Sequence, residues 1–186
     1  MARPDGLTTP IIIYMVLRNV ILQLTAFARI DGVFLALLWT ASFVTMLFFP
    51  TSAWSSMLAV ATPFLVGQRL KAFRDNALDG VISFRRAYVY LWYVFFNASL
   101  IFAAVQFIYF RFLDNGAFMA TLISACQTIA LIYKEQNMPV TELNETIEAL
   151  RNASDTQLVV AFFTQNLTIG TFLSLPIAAI MRRSKK

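Results

Sequence analysis

The sequence predicts an all-α membrane protein with four transmembrane helices, and three observations carry that prediction. Of its 186 residues 59% are apolar and only 13% charged, where an ordinary soluble domain holds roughly 45–50% and about 25%. Four stretches are apolar over the length of about 20 residues that a bilayer crossing needs. The charges are also partitioned, with basic residues at short connections and acidic residues in one long one. Such a composition excludes disorder, which needs low hydrophobicity and high charge. The chain has no His and a single Cys, Cys126, which removes the commonest general base and metal ligand and any disulfide framework.

The first span is read from Ile30 to Phe49, with Asp31 the one charge near its start, and it ends at Pro50-Thr51-Ser52. The second runs from Ala53 to Leu70 and opens on Trp54, a residue suited to the interfacial belt. The third, Ala87 to Phe110, is the most aromatic, with Tyr88, Tyr90, Trp92 and Tyr93 crowding its start. The fourth, Leu158 to Met181, stops at Arg182-Arg183-Ser184-Lys185-Lys186. Pro63 and Pro176 are expected to kink spans two and four.

Lys and Arg in short loops set orientation. Arg69, Lys71, Arg74, Arg85 and Arg86 flank the connection between spans two and three, and the tail adds Arg182, Arg183, Lys185 and Lys186. Both regions are therefore expected on the cytoplasmic side, and four spans then put the N-terminus there too. The connection 112–157 carries only Lys134 and Arg151 against six acidic residues, a local net charge of −4 in a chain of +5. It is expected to lie outside the cytoplasm, and the protein in a bacterial inner membrane.

Residues 1–29 are read as an N-terminal amphipathic helix. Thr8–Ala28 is apolar enough for a fifth span, but Arg18, Asn19 and Gln23 fall in its middle. An Arg at mid-membrane costs at least about 2.5–3.5 kcal/mol, whereas an interfacial helix keeps it beside the headgroups. A removable signal peptide is not expected, since no small-residue cleavage site follows. The domain reading is therefore 1–29, a transmembrane block 30–111, an extracytoplasmic helical segment 112–157, and a last span with basic tail over 158–186. Within the external segment, Ala117–Tyr133 is expected as a surface-lying or bundle-capping helix, with a short fifth span as the alternative. Thr141–Asn152 is expected as a water-exposed helix with Leu143, Ile147 and Leu150 as its apolar stripe at i, i+4, i+7.

Two segments carry a family resemblance. FRDNALDGVISFRRAYVYLWYVFFNASLIFAAVQFIYFRFLD over 73–114, with Gly80, Ser83-Phe84 and the exit Tyr109-Phe110-Arg111-Phe112-Leu113-Asp114, resembles the central block of a family of small Bacteroidota inner-membrane proteins grouped as a domain of unknown function. The closing NLTIGTFLSLPIAAIMRRSKK is similar to that family's final span. The amphipathic N-terminal stretch departs from the family pattern. The resemblance implies four transmembrane helices, no assigned activity, and a polyprenyl-phosphate-type glycosyltransferase as a partner.

Candidate chemistry is sparse. The polar residues inside spans three and four, among them Asn97, Ser99, Gln106 and Asn166, are neutral, so they are read as interhelical hydrogen-bonding groups rather than relays. Small residues recur at four-residue spacing: Asn166, Gly170, Ser174 and Ala178 in span four, Ala59, Pro63 and Gly67 in span two, Ser99 and Ala103 in span three. Such rows let helix backbones approach closely. Arg69, Lys71, Arg74, Arg85 and Arg86 are candidates for contact with anionic lipid or a partner, although the positive-inside rule alone accounts for them. Asp31 is expected to form an interfacial ion pair with Arg29. No nucleophile elbow, phosphate-binding loop or metal motif occurs, so no enzyme, cofactor or metal is expected. Nor is nucleic acid, because the basic residues sit at membrane edges. The expected function is a non-catalytic membrane scaffold or accessory subunit that meets the bilayer and another integral membrane protein or itself. The aromatic face of span three (Phe95, Phe96, Phe102, Phe107, Tyr109, Phe110) would be its packing surface. A small oligomeric transporter or lipid-handling protein is the alternative.

Overall fold

The computed structural model describes residues 8–49 and 52–183, and side chains from residue 21 onward together with Arg18. Among these residues there are seven helices and no strand: α1 Thr8–Phe48, α2 Trp54–Val60, α3 Thr62–Ala77, α4 Phe84–Phe112, α5 Ala117–Glu135, α6 Thr141–Asn152 and α7 Asp155–Met181. Four of them contain apolar runs long enough to cross a membrane: Ile21–Phe48, α4, α5 and α7. The protein is thus an all-helical multi-pass membrane protein.

The count of four matches the sequence reading, but its membership differs. The stretch read as span two is broken at Ala61 into α2 and α3, of 7 and 16 residues. Pro63, in the first turn of α3, is the physical reason: it has no N–H to give Ala59, and its ring crowds that carbonyl. The Ala61 amide is instead shared between Met57 and Leu58 carbonyls at 3.0 and 3.2 Å. The fourth long apolar helix is α5. Pro176, by contrast, sits inside α7 without ending it.

The boundary drawn at residue 29 is not a backbone break either, because α1 runs unbroken for 41 residues from the amphipathic stretch into span one. Of the side chains that define that amphipathic pattern, Ile13, Val16, Leu17 and Asn19 lie outside the described residues, as does the tail 184–186. Arg18 is exposed.

The chain divides into two compact units. The first takes the chain up to Phe102 together with Gln165 onward; the second is Ala103–Thr164. In the first unit α1 packs on α2 and α3. Leu35, Val66, Leu70, Phe73, Tyr90, Leu91, Val94 and Phe95 form the centre of a core to which α7 adds Ile177 and Ala178. The end of α7 is tied to the α3–α4 turn by reciprocal backbone hydrogen bonds between Ile82 and Arg183, both 3.0 Å, and by Arg74 Nη1 donating to the Met181 carbonyl at 3.2 Å. That turn reverses direction through Asp79 and Gly80, both at positive φ.

The second unit holds the last turns of α4, the α5–α6 pair and the first turns of α7. Phe110 packs against Phe118 and Phe162 at ring separations of 5.2 and 6.4 Å. Neither α5 nor α6 buries a single residue. In α6, Leu143, Ile147 and Leu150 are half-buried, the face that its spacing predicts.

Candidate functional site

Among the described residues of the first unit, the one buried carboxylate sits where three helices meet. Asp31 of α1 is 3% exposed. One of its oxygens, Oδ1, accepts from Arg69 Nε of α3 at 2.5 Å and forms an ion pair with Nη2 of the same residue. Its other oxygen, Oδ2, accepts from the Tyr90 hydroxyl of α4. This Asp31–Arg69–Tyr90 cluster is closed by aromatic groups. Phe73, one helical turn after Arg69, stacks on Tyr90 with ring centroids 4.3 Å apart and planes 3° from parallel. The Arg69 guanidinium lies 4.5 Å above the Phe34 ring, a cation–π contact that strengthens where water is excluded.

Gly32 brings these helices together. A Cβ at that position would stand 2.7 Å from Asn97 Cβ, 3.1 Å from the Val94 carbonyl and 3.2 Å from the Ala98 amide of α4. Two of those three atoms are backbone and cannot swing aside. The missing side chain therefore lets α1 lie directly on α4, which carries Asp31 to Tyr90 one turn away. Asn97 turns its own amide onto the Tyr93 carbonyl at 2.7 Å.

Sequence reasoning paired Asp31 with Arg29, and the structure pairs it with Arg69. The reason is helical phase: residues two apart point to different sides of a helix, and Arg29 is exposed while Asp31 is buried. The signal that could have found the pair was present, since a lone acid inside an apolar span calls for a cation from another helix. Which of the basic residues it would be depended on packing.

The candidate basic residues do not form one patch. Arg69 is engaged with Asp31. Arg74 donates to Asp75 at 2.7 Å as well as to the end of α7, and its hydrogen bond holds the Asp75 carboxyl below the usual carboxylate range. Lys71 and Arg85 are exposed; Arg86 is half-buried, its Nε without a hydrogen-bond partner.

The small-residue rows separate as sharply. Gly170 meets Phe95 so closely that a Cβ would stand 2.5–2.7 Å from its side chain. Ser174 and Ala178 are fully buried, and the Ser174 hydroxyl donates to the Gly170 carbonyl at 2.7 Å. Asn166 is half-buried. Ser99 is fully buried and Ala103 half-buried. In α2 and α3, however, Ala59 is exposed, and a Cβ on Gly67 would meet only the tip of Met181 at 3.9 Å. The close approach of α1 uses Gly32, which sits between the buried Ala28 and Ala36 in a further row of four-residue spacing on α1.

Two further polar positions matter. Ser99 Oγ and Gln106 Oε1, seven residues apart on α4 and hence on one face of it, are buried without a hydrogen-bond partner. In the second unit, Asp114 Oδ1 accepts from the Tyr109 hydroxyl at 3.0 Å and from the Phe118 amide at 2.9 Å, which satisfies an orphan donor in the first turn of α5. The aromatic face expected on α4 is largely inward: Phe95, Phe102 and Phe110 are buried, and Phe107 is the one clearly exposed.

A buried ion pair among apolar helices, with glycine-mediated helix crossings, defines the class: a polytopic α-helical membrane protein with an internal charged cluster. Within that class the chain belongs to the family described as "Protein of unknown function (DUF4199)", whose model matches residues 30–183. No curated protein and no solved structure matches it.

Proposed function

We propose that this protein is a non-catalytic accessory or scaffold subunit of a larger complex in a bacterial inner membrane. The observation that carries the reading is the closure of Asp31. Intramembrane acids are ordinarily proton or cation sites, but both oxygens of this one are engaged by Arg69 and Tyr90. Arg cannot give up its proton, so the cluster works as a brace that locks α1, α3 and α4 rather than as a relay. A rigid bundle with internalised charge and an apolar exterior is suited to holding a partner helix. The exposed side of α4, with Val89, Leu100, Ile101, Phe107 and Ile108, offers such a surface.

The orientation we propose places both termini in the cytoplasm. The basic turn before α4 and the basic residues after α7 lie at the same end of the first unit, as the positive-inside rule requires. The partner is another integral membrane protein or a second copy, and the family resemblance nominates a polyprenyl-phosphate-type glycosyltransferase. Purification of the tagged protein in mild detergent is expected to return a stoichiometric partner; a clean monomer overturns the reading.

A second reading, transport or lipid handling by an oligomer, is favoured by one observation. Gln106 Oε1 on α4 is buried without a hydrogen-bond partner and could accept from the hydroxyl of a bound substrate. Movement of a lipid-linked sugar in proteoliposomes that is lost in Gln106→Leu would select this reading over the first.

A further inference from the structure

We infer that α5 does not cross the membrane but lies in the plane of the outer leaflet, with its Ala125–Ile129–Ile132 edge seated among the acyl chains. By length and composition alone α5 qualifies as a span. Its connections forbid it. In the first unit the end of α7 is bonded to the turn that starts α4, so these helices run antiparallel. In the second unit the end of α4 meets the start of α7: Phe110 faces Phe162, and Arg111 lies 3.9 Å from Asp155. The chain therefore leaves α4 and enters α7 at the same end. If α5 crossed, residues 136–154 would have to cross back. That stretch carries Glu142, Glu145, Glu148 and Arg151 and contains only the 12 helical residues of α6. Hydrocarbon does not accept non-helical backbone facing lipid, nor four charges in one short return.

The surface of α5 is built for an interface. No residue of it is buried. At 100° per residue, one side carries Phe118, Leu122, Cys126 and Tyr133, which are half-buried. A second side, with Gln127, Leu131 and Lys134, lines the open groove against α6. The outward half is itself divided. Ala125, Ile129 and Ile132 make an exposed apolar edge at i, i+4, i+7, and Thr121, Ser124 and Thr128 make an exposed polar edge beside it. A membrane-crossing helix has no use for a polar edge along its whole length, whereas a helix lying at the headgroup boundary needs both.

Lipid is the occupant that the surroundings favour. Within the same unit the last turns of α4 expose Phe107, Ile108 and Phe112, and α7 exposes Val160. These side chains belong to helices that cross the bilayer, so lipid already covers the apolar exterior of this unit. Tyr133 and Lys134 at the end of α5 suit the headgroup layer, where an aromatic ring and a snorkelling amine are at home. The inference stands whether or not the protein is a scaffold; only the assignment to the outer leaflet rests on the orientation proposed above.

Cys126 is the only cysteine, so Cys126→Ser gives a clean background for single cysteines at each position from 119 to 133. Each is nitroxide-labelled and the full-length protein reconstituted in phosphatidylethanolamine–phosphatidylglycerol vesicles. Oxygen accessibility is expected to peak at 125, 129 and 132 and nickel-chelate accessibility at 121, 124 and 128, repeating about every 3.6 residues. The apolar edge is expected at a uniform depth of about 5–10 Å. A depth profile rising from both ends to a maximum near 126 would show a span and overturn the proposal. So would nickel dominance at every position, which means water, or spin–spin broadening along the apolar edge that disappears on dilution with unlabelled protein, which means a second copy.

Discussion

The two units solve the same problem by opposite means. The first is held from inside: its core cluster draws residues from α1, α3, α4 and α7, and its buried acid Asp31 is neutralised within it. The second has almost no inside. Its α5 and α6 bury nothing, and its order depends on a ring cluster around Phe110 and on the Asp114 cap. In a bilayer both are reasonable, because lipid can cover what the protein leaves bare. The contrast shows that apolar content does not by itself announce burial within the protein. The helix α5 is as oily as a span and has no core to join.

Substitutions should divide along the same line. The largest effect is expected for Arg69→Ala, which leaves Asp31 buried and unpaired; breaking a buried pair this way costs about 3–5 kcal/mol, read as a fall in thermal or denaturant stability in detergent. Arg69→Ala combined with Asp31→Ala should be markedly milder than Arg69→Ala alone, and equal losses would show that the ion pair is not the source. Next comes Gly32→Ala. The added methyl meets backbone of α4, and overpacking of this kind costs about 1–3 kcal/mol. If Gly32→Ala is neutral, the α1–α4 crossing is not as tight as 2.7 Å implies.

In the second unit the expected effects shrink. Asp114→Ala removes the cap of α5, a change worth about 1 kcal/mol, and hydrogen exchange should rise over 117–121 while the first unit's amides stay protected. Spread of that exchange into α1 or α3 would argue against two separately held units. Smallest of all is Asp75→Asn, at an exposed position of the first unit. Its carboxyl lies below the ordinary range because Arg74 bonds it. The contribution is therefore present above the ordinary carboxylate pKa and fades as pH falls through the lowered one. Variant and parent should differ slightly at neutral pH and converge in acid.

How much of this was legible beforehand depends on the range of the interaction. Helix type and the existence of long apolar runs follow from local composition, and the stripe Leu143–Ile147–Leu150 was readable from spacing. Pro63 was visible as a kink, but whether α3 would continue past Leu70 to Ala77 was decided by packing, through Phe73 on Tyr90. Asp31 was visible as a lone acid but was paired with its neighbour Arg29, because Arg69 lies 38 residues away and nothing local selects it over Lys71 or Arg74. Gly32 was missed although Ala28, Gly32 and Ala36 repeat every four residues, because the boundary drawn at residue 29 cut that row in two. The parity that keeps α5 out of the hydrocarbon required knowing which helix ends touch.

The Asp31–Arg69 pair also dictates an order of assembly. Released into lipid alone, α1 would carry a bare acid and α3 a bare cation, and each would be held back by about 2.5–3.5 kcal/mol near mid-membrane. Joined, they are a neutral couple capped by an aromatic hydroxyl. The first helix thus has reason to wait at the headgroups during synthesis until α3 emerges, and to enter with it as a single hairpin. The charge that braces the finished bundle is, earlier in its life, a checkpoint on the helix that carries it.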